Sequence, residues 1–439
     1  MMNCTNLEWK WDFLEKSLQQ DAKFRLKLSK ELKMGRKLKM SNIIDYVKWR
    51  GDLEMQIDPF NDIDGLILSE LVYVEFNQIV PGFLEAGNRR LEDVAKDFFK
   101  LNDVEQLMNK FSFTKDAIQL LKVMAESKRY RNILLSDYIN ELDYQEIKQF
   151  AAITFQLPDN SIYVAFRGTD DTILGWKEDF MMTYMLPIPS QIRAKEYLKQ
   201  ISHKKYNRSL LYTIKNRDFK TSIFSSLKQY FNQSFNGVKI RLGGHSKGGN
   251  LAVYAACNND ERVIKRIIEI YNNDGPGFDI ETLKMSEYQN IAKRIKKFVP
   301  EGCVFGIMLE YLEEMIVVKS DAKGLMQHNG FTWQIEGTRF VEIESINQDS
   351  QAMDTAFKTW LSKVDKETRK NAVDSIFNII EAAKIEKIND FSEKTFTHLI
   401  TALKELKNMD SESRNALIHF FKTLLVENNN SRKEYKKKK

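Results

Sequence analysis

The stretch Ile240-Arg241-Leu242-Gly243-Gly244-His245-Ser246-Lys247-Gly248-Gly249-Asn250-Leu251-Ala252 decides how the chain is read. Val238, Ile240 and Leu242 form the short apolar run of a buried strand, and Leu251, Ala252, Ala255 and Ala256 give the small apolar face of a helix packed on a sheet. Between them lies a Gly-x-Ser-x-Gly made of Gly244, Ser246 and Gly248, so strand, sharp turn and helix are expected. Such a turn lifts the serine to the top of the sheet in a strained backbone. Glycines two residues before and after it remove the Cβ atoms that would clash there. A glycine-rich turn that merely joins strand to helix, or an anion-cradling helix start, has the same letters. A Walker loop does not fit, because Lys247 precedes the glycine pair instead of following a second glycine after a four-residue spacer. The strand and helix context makes Ser246 the candidate nucleophile.

With 439 residues, 43% apolar and 29% charged, the chain has the composition of a globular protein large enough for two or three domains, or one large domain with additions. The net charge is only +6. The tail Arg432 to Lys439 is short and lacks interleaved aromatics, which reads as a solvated end and not as a nucleic-acid grip. Cys4, Cys257 and Cys303 lie far apart without a Cys-x-x-Cys, against a disulfide framework or structural zinc site and in favour of a reducing compartment. The N-terminus has no apolar leader core, and no apolar run reaches the roughly 18 residues of a membrane span. A cytoplasmic protein without a spanning segment is expected, and no nucleic-acid partner.

Residues 1–39 carry ten Lys or Arg against five Asp or Glu and read as a basic N-terminal arm. From Ile43 to Phe150 the pattern is helical, with capping residues at Asp62 to Asp64 and helix-spaced Ala117, Leu120, Leu121 and Met124. The period then changes. Phe150 to Leu157 and Ile162 to Phe166 predict a hairpin that runs into Arg167-Gly168-Thr169-Asp170-Asp171. This strand end offers free N–H groups, while Arg167 with Asp171 or Asp179 is also readable as an ion pair fixing the turn. Met181, Met182, Met185, Leu186 and Ile188 are either core or one wall of an apolar cleft. A Lys-rich insertion spans His203 to Lys220. Further runs at 267–271, 295–299 and 315–318 alternate with helical segments, which implies a parallel sheet covered on both sides. Beyond Ser350 the texture is wholly helical. Stripes at Met353, Phe357, Trp360, Leu361 and Val364 and at Phe396 to Leu406, with a capping box at Asp390 and Glu393, describe an accessory domain. The expected domains are therefore 1–39, 40–345 and 346–439.

A serine needs a base, and the chain has five histidines. His203 precedes the nucleophile, His245 adjoins it and points away, and His398 and His419 sit among apolar residues of the helical tail. His328 lies in a Gly/Asn-flanked loop after the last strand, where the chain order Ser, acid, His requires it. The acid belongs at the carboxyl end of a strand after the elbow. Asp274 is the first choice, Glu301 the alternative and Asp321 a poorer third. The N–H of Lys247 and the Thr169 turn are the candidate oxyanion donors.

Phe166-Arg167-Gly168-Thr169 with Trp176 and Asp179, Gly244-His245-Ser246-Lys247-Gly248-Gly249, and His328-x-Gly330-x-x-Trp333 together resemble the class 3 (fungal-type) lipases. The chain is more similar still to a bacterial family of lipase-like α/β-hydrolases carrying Gly-His-Ser-Lys-Gly-Gly-Asn-Leu-Ala and Asp-Gly-Pro-Gly-Phe, over roughly residues 43–345. The resemblance implies an α/β-hydrolase fold, Ser246 as nucleophile, His328 as base, Thr169 and Lys247 as oxyanion donors, and a lid in the segment after Thr169. It departs at Lys297. Class 3 lipases place an Asp two residues before Val-Pro, so here the acid must come from Asp274 or Glu301.

The expected function is a serine hydrolase that cleaves carboxylic esters of the lipase or carboxylesterase type, through an acyl-enzyme intermediate and with no metal or organic cofactor. A catalytically inactive hydrolase-fold scaffold, with its helical domain holding a partner protein, is the rival. The small-molecule partner in the first case is an ester or acyl substrate.

Overall fold

The computed structural model describes residues 41–109, 115–204 and 237–387. The basic arm, most of the Lys-rich insertion, the second C-terminal stripe, its capping box, His398, His419 and the basic tail lie outside the described residues.

The chain builds one nine-stranded sheet. In chain order its strands are β1 (Arg89–Arg90), β2 (Leu134–Asp143), β3 (Lys148–Gln156), β4 (Ile162–Phe166), β5 (Ile240–His245), β6 (Ile267–Asn273), β7 (Ile295–Pro300) and β8 (Met315–Val318). After a small two-stranded ladder, β9 (Ile335–Glu336) with β10 (Arg339–Phe340), the strand β11 (Glu342–Ile343) closes the far edge. Pairing from β4 to β8 is parallel, and both edges are antiparallel. This is the α/β fold with a mostly parallel sheet that the alternating runs predict.

Residues of β4 divide by parity. Ile162, Val164 and Phe166 join one core, and Tyr163 and Ala165 the other. Because successive side chains point to opposite faces, a strand apolar at every position must be covered on both sides. One cover contains α1 (Ile43–Arg50), α2 (Asp62–Leu71), α3 (Leu91–Leu101) and α4 (Lys115–Glu126). After α5 (Ile173–Met181), the other cover is supplied by α6 (Pro189–His203) and α7 (Lys247–Cys257). Two C-terminal helices, α8 (Gln348–Lys363) and α9 (Lys366–Ala382), follow β11, and Phe377 of α9 packs against Phe180 of α5 with tilted rings whose centroids are 5.8 Å apart. No helix of the described residues is long and apolar enough to cross a membrane.

The helical expectation for 43–150 fails at β2. This strand starts buried, ends polar, and carries a register break between Ser136 and Ile139 with Asp137 at φ 58°. A bulged strand has no clean two-residue period to read.

The first cover is tied down by a buried charge. Asp64 caps α2 by accepting from the Asn61 N–H at 2.9 Å. It also accepts from Arg129 Nε at 2.9 Å, from a second Arg129 nitrogen, and from the Tyr130 hydroxyl at 2.5 Å. Both Asp64 and Arg129 are buried. Removing one partner leaves the other charged and desolvated, so Asp64→Ala is expected to lower the unfolding free energy by about 3–5 kcal/mol in urea denaturation.

Candidate active site

Ser246 lies between β5 and α7 at φ 57°, ψ −134°, a conformation that costs a non-glycine residue about 1–3 kcal/mol. The glycines around it have steric reasons. A Cβ on Gly244 would lie 2.2 Å from the Gly248 carbonyl carbon, and one on Gly248 would lie 2.1 Å from the Phe166 oxygen. The neighbouring strand holds the turn: the Ser246 N–H donates to Asn273 O at 2.9 Å, and Asn273 Nδ2 donates to Gly244 O at 3.1 Å. Serine is a favoured helix cap, yet at the N-cap of α7 its side chain makes no capping bond. The hydroxyl is therefore not consumed by the helix.

His328 ends a short 3-10 turn, Gly324–His328, beyond β8. Its Nδ1 lies 2.5 Å from Oδ2 of Asp274, which follows β6 and is fully buried. The other Asp274 oxygen accepts from the Cys303 thiol at 2.8 Å and from the Gly306 N–H at 3.1 Å. With Nδ1 committed to Asp274, Nε2 is the nitrogen available to a hydroxyl. Phe305 packs on the His328 ring at 4.4 Å and lines one cavity together with Ser246.

Of the candidate acids, Asp274 is the one whose carboxylate meets His328. Glu301 is tied through its backbone, donating its N–H to Val318 O at 3.0 Å and accepting from the Asn347 N–H at 2.9 Å. Asp321 accepts from Gln334 Nε2 at 2.7 Å. Lys297, where the resemblance leads one to expect an acid, is fully buried and donates to Gly275 O at 3.0 Å while Nζ sits 4.5 Å over the Tyr311 ring. Burial pulls its ammonium below the ordinary lysine range, against the opposing Glu313 charge. It thus supports the loop that begins with Asp274. Asn250 of the elbow helix supports the same loop, donating to Gly277 O at 2.9 Å and accepting from Gln191 Nε2 at 2.7 Å.

Thr169 stands on the loop after β4, whose Gly168 is so close to the elbow that an added Cβ would meet His245 O at 2.4 Å and Ser246 Cβ at 3.1 Å. The Thr169 hydroxyl donates to Asp179 Oδ2 at 2.5 Å. Lys247 is the first residue of α7, where N–H groups lack intrahelical partners. Its side chain is buried and donates to Glu178 Oε2 and Gln149 Oε1, both at 2.9 Å, with Asp179 Oδ1 at 3.5 Å. Burial opposes the Lys247 charge, but Glu178 and Asp179 hold it above the usual lysine range. Burial pushes the Asp179 carboxyl up to about 6 against the pull of Lys247 and Thr169. Lys247 therefore ties the elbow to α5. The Arg167 partner is Asp170, at 3.2 Å, with Asn140 Oδ1 at 2.9 Å, and not Asp171 or Asp179. A three-residue spacing closes that turn, whereas Asp179 is drawn away by Thr169 and Lys247.

His245 is buried and braces the His328 turn. Its Nε2 lies 2.6 Å from the His328 carbonyl oxygen, and the two rings are 4.5 Å apart. A carbonyl only accepts, so Nε2 carries the hydrogen. Burial and the His328 charge hold the His245 pKa well below the usual histidine value, which leaves Nδ1 as a bare lone pair. Glu70 Oε1 faces that lone pair at 3.6 Å, and burial, helped by Asp116, pushes the Glu70 carboxyl up to about 8. A protonated Glu70 avoids setting two lone pairs against each other. Sequence reasoning missed Glu70, Gln149, Glu178 and Cys303, since none shares a local pattern with the elbow.

A cleft of about 540 Å³, counting space open to solvent, is lined by Ser246. Trp176, Phe180 and Met182 form one wall and Phe305, Met308 and Leu309 another. The methionine segment is thus both core and wall: Met181 and Ile188 are buried with Leu309, and Met182 lines the cavity. Among the described residues no group of three or more His, Cys, Asp or Glu is placed to hold a metal ion.

A family model described as Mbeg1-like matches residues 124–378, more than half of the chain and across the expected boundary at 345. A solved structure titled crystal structure of M37 lipase is similar over 56% of this chain and 70% of its own, at 14% identity and a TM-score of 0.31. Likeness at that level carries no residue across. No curated protein matches the chain.

The folded protein holds the Glu70 proton more tightly than the unfolded chain does. Its contribution to stability is full below the ordinary value of 4.5 and is lost as the pH rises toward about 8. Glu70→Gln, which mimics the protonated form, is expected to match the wild type near about pH 5 and to exceed it by on the order of a few kcal/mol near about pH 8 in urea denaturation.

Proposed function

The chain belongs to the Mbeg1-like family, and we propose that it is a serine hydrolase of the lipase or carboxylesterase type, cleaving carboxylic esters through an acyl-enzyme intermediate. The observation that carries this reading is the uncapped, positive-φ Ser246 on a strand-to-helix turn. A strained serine whose hydroxyl does nothing for its own helix has a structural cost without a structural return.

In the proposed reaction His328 Nε2 takes the Ser246 proton as Oγ attacks the ester carbonyl. Asp274 holds Nδ1–H and stabilises the imidazolium. Negative charge develops on the carbonyl oxygen and is met by the N–H of Lys247, at the positive end of α7, and by the N–H of Thr169. The Thr169 hydroxyl proton is directed to Asp179, so the backbone is the donor this residue offers. Collapse of the tetrahedral intermediate expels the alcohol, which receives the proton from His328. Water, activated by the same imidazole, then releases the acid and restores Ser246. The segment after Thr169 acts as the lid that the resemblance implies. The free buried Cys257 and Cys303 are compatible with a cytoplasmic site of action.

Labelling by a fluorophosphonate probe tests the nucleophile. We expect the wild type to be labelled and Ser246→Ala not to be. An unlabelled but cooperatively folded wild type would favour the inactive binding or scaffold protein instead. Steady-state ester hydrolysis separates the two acids: Asp274→Asn is expected to lower kcat by roughly 10⁴-fold, whereas Glu301→Gln leaves it unchanged.

A further inference from the structure

The cavity above Ser246 is completed from outside the region that carries the hydrolase motifs. Phe357 of α8 lines it, facing the same space as Ser246, Trp176, Phe180, Met308 and Leu309. The polar side chains in the lining, Ser246, Asp179, Lys247 and Thr183, are few, and the rest of the wall is aromatic, thioether or aliphatic. A wall of this kind suits an unbranched hydrocarbon chain, because methionine and phenylalanine adapt to it and offer it no hydrogen bond.

The helix that delivers Phe357 is fastened to the cavity wall. Lys358, the next residue, pairs with Asp354 at 3.2 Å, reaches Glu310 at 3.8 Å, and sits 5.7 Å over the Tyr311 ring. Trp360 is buried one turn on, with its ring 5.6 Å from that of Phe357. The following helix is fastened to the opposite wall, through Phe377 on Phe180 and through the Ile173 N–H donating to Glu386 O at 2.9 Å. The C-terminal helices thus join both walls of one cavity. Phe357 itself is half-buried: it packs against the Trp360 cluster of the helix pair and also lines the cavity.

We propose that Phe357 sets the length of acyl chain the protein accepts, as the end wall of a pocket for the aliphatic acyl group of the ester. The proposal rests on the ester-hydrolase reading and names its substrate class: esters of straight-chain aliphatic acids, with the carbonyl at Ser246 and the chain between α5 and the 305–309 segment.

Hydrolysis of p-nitrophenyl butanoate, octanoate, dodecanoate and palmitate by the full chain tests it. Phe357→Ala is expected to raise kcat/KM for the longer esters relative to butanoate by at least about tenfold, and Phe357→Trp to shift the preference the other way. Phe357→Trp keeps an aromatic ring on α8 and supplies the readout if the alanine variant fails to fold. An active wild type whose chain-length profile is the same in the folded variants overturns this proposal alone. A wild type that hydrolyses none of the four esters and resists fluorophosphonate overturns the ester-hydrolase reading, and this proposal with it.

Discussion

The conformation of one residue constrains the rest of the molecule. Ser246 sits at positive φ without glycine's freedom, and a strained backbone persists only where its surroundings over-determine it. Those surroundings are a strand on each side and a helix ahead. The Phe166 oxygen fills the space where a side chain at 248 would go, Asn273 bonds the turn from the next strand, and α7 starts immediately after it. The parallel register of β4, β5 and β6 brings these groups to the same height. A shift of one strand would remove the clamp.

Around this turn the structure layers supports that each fix one group of the candidate site. The loop that starts with Asp274 is held by Asn250 from the elbow helix, by Lys297 from the next strand, and by Cys303 and Gly306 from the loop beyond. The Thr169 loop is held by Asp179, which is tied to the elbow by Lys247. The His328 turn is held by His245, the residue before Ser246. Behind the His328 turn, desolvation holds His245 without its extra proton and raises the pH at which the facing Glu70 gives up its own. Such networks favour a single arrangement because any half-satisfied alternative exposes an unpaired charge to a dry interior.

At Lys297 the chain departs from the class 3 pattern that its motifs resemble, and the lysine there serves as a support. An acid at position 297 would stand within β7, the strand beside β6; here that position is basic and its ammonium donates to the carbonyl just after Asp274. The carboxylate against His328 comes from β6 instead. Choosing among Asp274, Glu301 and Asp321 needed the depth of each loop and the direction of each side chain, neither of which follows from spacing along the chain.

By itself the sequence determined the layered architecture, the elbow and the roster of candidate groups, because each depends on neighbours a few residues apart. Short, nearly continuous apolar runs around a turn mark β3 and β4, the glycine pattern marks a turn with no room for side chains, and the small number of histidines limits the candidate base. The bulged β2 escaped because an extra residue destroys the period that would reveal it. Only the tertiary structure decided which carboxylate meets His328, that Arg167 closes on Asp170, and that the helix carrying Phe357 shares a cavity with Ser246. These are encounters between segments that pair through strand order and helix docking. Their free energies come from burial and from charges satisfied at a distance, so no local run of residues records them.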